Sequence, residues 1–284
     1  MKKIKNENIF TVDVEDWFHI LEHPAVPPID RWDDLESRIE KNLHVLLKLF
    51  RETGTKSTFF WLGWAAERNK KLVKICVEEG HEIASHGYEH LLIMESENEK
   101  FKADILRSKH LLEDLTGLPV HGFRAAGFSI TEKTQWAFEV IKEAGFKYDS
   151  SIFPKKHGHG GISGADLTPY IIPTGHGALV ECPMSVVEIA GKRISFFGGG
   201  DLRLAPLWLI KWGVRNIQSH NRPLIVFVHP REIDPGHPKL PLGFRRRWGC
   251  YTNLHTTLKK IESLCRENKF ITMGEYINRL PHRE

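Results

Sequence analysis

The feature that most constrains this chain is a cadence. Short apolar runs rich in β-branched and aromatic residues alternate with longer stretches of helical periodicity. The strand-like runs fall at 9–14, 57–62, 81–84, 121–125, 146–149, 179–188 and 224–228. The helical stretches lie at 34–52, 65–79, 97–115, 131–144, 204–220 and 252–268, and Gly54, Gly80, Gly117 and Gly145 stand at the carboxyl ends of four of them. Alternation of this kind builds a parallel sheet covered by helices. About seven such units suit one barrel-like α/β domain spanning residues 1–284, in which loops at the carboxyl ends of the strands carry the chemistry. A Gly/Pro/His-rich stretch from Pro154 to Gly177 breaks the rhythm and reads as a long loop.

Composition narrows the function by exclusion. Forty Lys and Arg against 36 Asp and Glu, scattered along the chain, create no overall field for nucleic acid or a membrane; Arg245–Arg247 is the one dense basic cluster. Apolar runs such as Phe59 to Ala66 fall short of the ~20 residues that span a bilayer. Lys2, Lys3 and Lys5 imitate the basic start of a signal peptide, but Asp13, Glu15 and Asp16 interrupt the apolar stretch that should follow. The expectation is a cytoplasmic protein. Cys76, Cys182, Cys250 and Cys265 form no C-x-x-C pair and read as buried free thiols.

Four polar clusters sit where strand-like runs end. Thr11-Val-Asp13-Val-Glu15-Asp16-Trp17 brings three carboxylates within four residues. Asp13 and Glu15 share a strand face, with Asp16 joining them only if the strand turns; like charges this close need a cation or a shared proton. His86 and His90 have the i, i+4 spacing that places two imidazoles on one face of a helical turn, a geometry able to hold a metal. A hydrogen-bonded structural pair is the bland alternative. Together with one carboxylate they form a two-histidine, one-acid set with open positions. Arg124 and His229 each follow a strand-like run and should point into whatever lies above the strand ends.

In this order the clusters resemble the polysaccharide deacetylase family, the NodB-homology domain of carbohydrate esterase family 4, over nearly the whole chain. The strand Thr11 to Asp16 is similar to the family's first motif, His86 to His90 to its second and Phe123-Arg124-Ala-Ala-Gly127 to its third. Tyr148-Asp149-Ser150-Ser151 and Phe227-Val-His229-Pro230 resemble the fourth and fifth. Val12-Asp-Val-Glu-Asp-Trp17, Asp149-Ser-Ser-Ile-Phe-Pro154, Phe197-Gly-Gly-Gly200 and His229-Pro-Arg-Glu-Ile-Asp-Pro235 resemble the branch found in bacterial exopolysaccharide and surface-glycan loci. Two departures stand out: Val14 separates Asp13 from Glu15 where the family's commonest first motif has adjacent Asp, and Ala125 and Ala126 stand where proline is commoner.

The resemblance implies a distorted (β/α) barrel of the NodB type, with about seven parallel strands ringed by helices. It further implies hydrolysis of an N-acetyl group from an amino sugar of a bacterial surface polysaccharide or its precursor. The implied cofactor is one divalent metal, with zinc the default and cobalt or nickel also suited to the ligand set. Asp13 would be the general base, Arg124 its orienting residue, His229 the general acid, and Asp149 the carboxylate that holds the His229 ring. Glu15, His86 and His90 would hold the metal, with Asp16 the alternative carboxylate. The partner is an N-acetylated sugar or glycan, with no nucleic acid and no transmembrane segment. Two other readings keep the fold: hydrolysis of a formamide or ureide, and a non-catalytic glycan-binding relative. Trp17, Phe18, Trp61, Trp64 and Phe128 suit a sugar platform or, more ordinarily, the core. Gly198-Gly-Gly200 lacks dinucleotide-cradle spacing and reads as a tight turn near the site, with His19, His157 and His159 placed close by.

Overall fold

The computed structural model describes residues 7–20 and 23–280, so Lys2, Lys3 and Lys5 lie outside the described residues. In chain order the strands are β1 (Asn8–Val14), β2 (Ser57–Trp61), β3 (Glu82–Ser85), β4 (Gly122–Phe123), β5 (Tyr148–Asp149), β6 (Tyr170–Thr174), β7 (Gly177–Glu181), β8 (Val187–Ile189), β9 (Lys192–Ile194), β10 (Leu224–Val228) and β11 (Phe270–Ile271). The helices are α1 (Ile39–Thr53), α2 (Gly63–Arg68), α3 (Lys70–Glu78), α4 (Asn98–Thr116), α5 (Trp136–Glu143), α6 (Gly199–Leu204), α7 (Leu207–Ser219), α8 (Phe244–Tyr251), α9 (Leu254–Glu267) and α10 (Met273–Asn278).

Strand order is β10-β1-β2-β3-β4-β5-β7-β6, with β11 pairing the start of β1. All neighbours on this path run parallel except β6, which is antiparallel to β7. The sheet curls into a half-barrel surrounded by helices. Alternation along the strands creates two cores. Phe10, Val12, Val14, Phe59, Trp61, Val226 and Val228 face outward into the helix layer, while Ile9, Phe60, Ala84, Tyr148, Ile225 and Phe227 face the barrel interior. β1 and β10 are buried along their whole length, as expected for parallel strands covered on both faces. Met273 and Tyr276 of α10 join the interior core, and the Met273 and Gly274 amides donate to Thr58 Oγ1 and Glu82 Oε2 at 2.8 Å each. The amino-terminal end of the barrel is thereby plugged.

The helix-closing glycines behave as the cadence requires. α1 buries Leu43, Leu46, Leu47 and Phe50 at helical spacing and stops at Gly54, whose φ of +67° only glycine adopts without strain. Gly117 ends α4 in the same way at φ +68°, its N–H donating to Glu113 O at 2.8 Å. A Cβ at either position would meet nothing within 4 Å, so backbone conformation rather than space selects glycine.

Four stretches differ from the sequence reading. The stretch 65–79 is two helices broken at Asn69, and 204–220 is interrupted before α7 by Pro206. The run 179–188 divides into β7 and β8 around Pro183, and the final part of the 154–177 loop is the half-exposed edge strand β6. Pro173 within β6 lacks an N–H, which an edge tolerates.

Candidate active site

One register row ends most of the strands. Val14 pairs with Trp61, Trp61 with Ser85, Ser85 with Phe123, Phe123 with Asp149 and Asp149 with Glu181. The residue after each of the first, third, fourth and fifth members of that row is Glu15, His86, Arg124 and Ser150. β10 pairs Val228 with Val12, which brings His229 to the level of Asp13. Residues separated by more than two hundred positions therefore meet above one rim.

Thr11, Asp13 and Glu15 alternate with the outward-facing Val12 and Val14 and so share the inner face. Arg124, fully buried, reaches across the barrel to two of them: Nη1 donates to Asp13 Oδ1 at 2.6 Å and Thr11 Oγ1 at 2.8 Å. Its Nε and Nη2 donate to Ser150 O at 3.1 Å and Ser150 Oγ at 3.0 Å, and the guanidinium lies 4.1 Å over the Phe60 ring. A charge this deep needs its donors satisfied, and the fork fixes one carboxylate oxygen of Asp13 while Asp13 still lines the cleft.

Glu15 Oε1 lies 2.9 Å from His86 Nε2 and 2.8 Å from His90 Nε2. One candidate ligand atom from each of the three buried residues falls within 4.8 Å of the others. His86 Nδ1 is 2.7 Å from Arg124 O, an atom that only accepts, so Nδ1 carries the proton. A neutral His86 ring then turns its Nε2 lone pair on a carboxylate oxygen, an arrangement that requires a positive charge between them or on the ring. The donor set and this polarity fit a divalent cation, as does the backbone acceptor that sets the tautomer. Burial alone would raise the Glu15 carboxyl, but the charges of His90 and His229 and the close approach of the His86 and His90 rings hold it well below the usual range. Asp16 turns elsewhere: Oδ1 accepts the Trp17 N–H at 2.9 Å, and both oxygens accept the Arg38 N–H at 3.1 Å, ahead of α1. Between the two carboxylates, the structure brings Glu15 to the histidines.

The histidine pair is not on a helical turn. His86 to His90 form a loop with positive φ at Gly87 (+74°) and His90 (+58°). Asp104 of α4 pins it, accepting the Tyr88 and Glu89 amides at 2.8 Å each. Burial pushes the Asp104 carboxyl up to about 6, against those two hydrogen bonds. Only glycine fits at 87, because a Cβ there would stand 2.7 Å from Asp104 Oδ2. Sequence reasoning missed Asp104, and its distance along the chain leaves no local signal.

His229 Nε2 is 3.8 Å from Glu15 Oε1, and its Nδ1 is 3.6 Å from Glu232 Oε2, an oxygen that also accepts the His229 N–H at 3.1 Å. Burial favours the neutral ring, but Glu15 and Glu232 outweigh it and raise the imidazole's affinity for a proton. Asp149 does not reach this ring. Its carboxylate accepts Ser151 Oγ at 2.6 Å and the Ser151 N–H at 3.1 Å, shares a buried acid pair with Glu181, and lies below the cleft. Ser151 Oγ in turn accepts the Ala125 N–H at 2.7 Å, so Asp149 shapes the loop that carries Arg124. The expected partner of His229 is thus replaced by Glu232. A local signal for it exists in His229-Pro-Arg-Glu232, which has proline at the first helical position and Glu at the third.

Asp13, Glu15, His86, His90 and His229 line one cleft of about 630 Å³. Gly198–Gly200 form part of its wall, and a Cβ at Gly198 would fall 2.0 Å from the Phe227 ring. His157 and His159 line it as well. Among the candidate platform aromatics only Phe128 does; Trp17, Phe18, Trp61 and Trp64 are core. Cys250 is half-buried at the cleft, and the other three thiols are buried. His19 also faces the cleft. Its Nδ1 accepts the Asp16 N–H at 2.9 Å, which places the ring proton on Nε2, and that atom is buried without a partner among the described residues. His19 is therefore a neutral N–H donor and not a metal ligand.

Two family models match in succession: Polysaccharide deacetylase over residues 31–148, and Domain of unknown function (DUF3473) over residues 150–278. The first contains His86, His90 and Arg124 and the second His229, while Asp13 and Glu15 precede both. A peptidoglycan-N-acetylglucosamine deacetylase of Bacillus cereus is 37% identical over 102 residues, 36% of this chain and 46% of that protein. The chain spans less than half the length of the curated relatives it matches first. Among solved structures, a probable polysaccharide deacetylase from Pseudomonas aeruginosa PAO1 superposes with TM-score 0.63 at 17% identity, covering 98% of this chain and 92% of that one. Puue allantoinase superposes with TM-score 0.64 at 16% identity, covering 99% and 93%. At such identities the superpositions establish the fold, and the family match places residues 31–148, which carry His86, His90 and Arg124, in the polysaccharide deacetylase domain family.

Proposed function

We propose that this protein is a metal-dependent N-deacetylase that hydrolyses the N-acetyl group of an amino sugar in a bacterial surface polysaccharide or its precursor, and that residues 1–284 work as one catalytic unit in the cytoplasm. The observation that carries the reading is the meeting, in one cleft, of Asp13 held by Arg124, the Glu15–His86–His90 group and His229 beside Glu232. The B. cereus relative's name supports the substrate class, and the strings shared with the exopolysaccharide branch support the polymer context.

Amide hydrolysis needs an activated water and a proton for the departing nitrogen. A divalent ion held by Glu15, His86 and His90, with zinc the default, supplies Lewis acidity toward the acyl oxygen and eases deprotonation of water. Asp13 accepts the proton of the water whose oxygen attacks the acyl carbon, and Arg124 fixes the direction in which Asp13 does so. His229, protonated and steadied by Glu232, gives its proton to the sugar nitrogen as the C–N bond breaks, releasing acetate and a free amine. His19 donates from Nε2 to a sugar or acyl oxygen. Replacing His19 with Phe is expected to raise KM about tenfold, the value of one hydrogen bond, with kcat nearly unchanged. His19→Gln, which restores an N–H, recovers part of the loss; equal KM for wild type and His19→Phe rules the contact out.

The same fold serves an allantoinase, so ureide hydrolysis is the second reading. Acetate release from N-acetylglucosamine oligomers, measured beside hydrolysis of allantoin, separates the two. The proposal expects acetate from the oligomers and none of the ureide reaction, and the reverse pattern overturns it.

A further inference from the structure

Helix α8 forms part of the cleft wall, yet none of its residues is buried. At 100° per residue, Arg245, Arg246, Gly249 and Cys250 share the face that lines the cleft. Phe244, Arg247 and Trp248 lie on the opposite face. Phe244 is 85% exposed and Trp248 55% exposed, and neither lines the cleft, so this face puts two large aromatic rings into solvent. The local sequence is basic. No Asp or Glu occurs between Asp234 and Glu262, a stretch that holds Lys239, Arg245, Arg246, Arg247, Lys259 and Lys260. Lys260 is turned inward onto the Leu202, Arg203 and Ala205 carbonyls, whereas Arg245 and Arg247 are exposed and exposed Lys239 sits 5.6 Å from the Tyr251 ring at the end of α8. The chain's net charge is modest, but here the positive charge is local and interleaved with aromatics.

We propose that this face of α8 docks on the surface of an anionic phospholipid bilayer. Exposed Phe and Trp suit the headgroup–acyl boundary, and Arg and Lys beside them are attracted by anionic headgroups. The charge pattern selects this occupant: a second copy of the chain would bring arginine against arginine, and a glycan in the cleft lies on the wrong side of the helix. Because the opposite face of the same short helix is cleft wall, docking holds the cleft one helix diameter, ~10 Å, from the membrane surface. The inference is independent of the reaction assigned to the site.

The test is cosedimentation of the full chain with vesicles of phosphatidylcholine containing phosphatidylglycerol, and with phosphatidylcholine alone. Binding to the anionic vesicles is expected to be at least about tenfold tighter and to weaken as salt rises. The Phe244→Ser/Trp248→Ser double variant and, separately, Arg247→Glu should each reduce it by about tenfold or more with melting temperature and turnover of a soluble substrate unchanged. Equal partition onto both vesicle types overturns the proposal, as does wild-type binding by folded variants. A monomer–dimer equilibrium abolished by Phe244→Ser, or capture only by an acidic protein, in the absence of vesicle binding, also overturns it.

Discussion

Asp13→Asn is expected to lower turnover by about 10²–10⁴-fold while the protein remains folded. The substitution preserves the shape of the side chain, and the Asn oxygen can still accept the Arg124 Nη1 hydrogen bond seen at 2.6 Å. It removes the capacity to hold a proton from water. Folding loses the counter-charge of the buried Arg124 guanidinium, which keeps its Thr11 and both Ser150 acceptors, so some loss of stability accompanies the loss of turnover while the fold persists. Turnover in an acetate-release assay should collapse, with a melting temperature within several degrees of wild type. Full turnover by a folded Asp13→Asn protein would sink the role of this residue as base.

Arg124→Met should have the largest effect on stability, a loss of about 3–5 kcal/mol in urea denaturation. Methionine fills similar volume, but it leaves the Asp13 carboxylate, 1% exposed, without its counter-charge and strips Ser150 O of a donor. The cost should come mainly from the stranded charge. The double variant Asp13→Asn/Arg124→Met is then expected to be more stable than Arg124→Met alone, because the uncompensated carboxylate is gone. If the single variant is as stable as wild type, or the double variant is the worst of the set, the buried pair is not what holds this rim together.

What the sequence made legible, and what it hid, follow the range of the interactions concerned. Gly54 and Gly117 announce helix ends because the αL conformation is a local property of one residue. The alternation Thr11, Asp13, Glu15 likewise marks one strand face, so Asp13 and Glu15 could be placed on the same side before any fold was known. The spacing of His86 and His90 suggested a helical turn, yet an i, i+4 spacing also fits a loop once Gly87 takes positive φ and Asp104, from another element, holds the amides. β6 was hidden because Pro173 and Gly175 argue locally for a loop, while its hairpin with β7 is a matter of pairing. Assigning Asp149 to His229 carried over a family role without its geometry. In this chain Asp149 braces the Arg124 loop, and Glu232, three residues beyond the histidine, takes the position beside Nδ1.

The central claim is that Glu15, His86 and His90 hold one divalent ion on which hydrolysis depends. Metal content and acetate release, measured on the same purified wild-type and His86→Ala proteins before and after chelation, address it most directly. The account predicts about one bound metal per wild-type chain, activity lost on chelation and restored by zinc, cobalt or nickel, and neither metal nor activity in His86→Ala. Undiminished acetate release from chelated wild-type protein carrying no metal would contradict it.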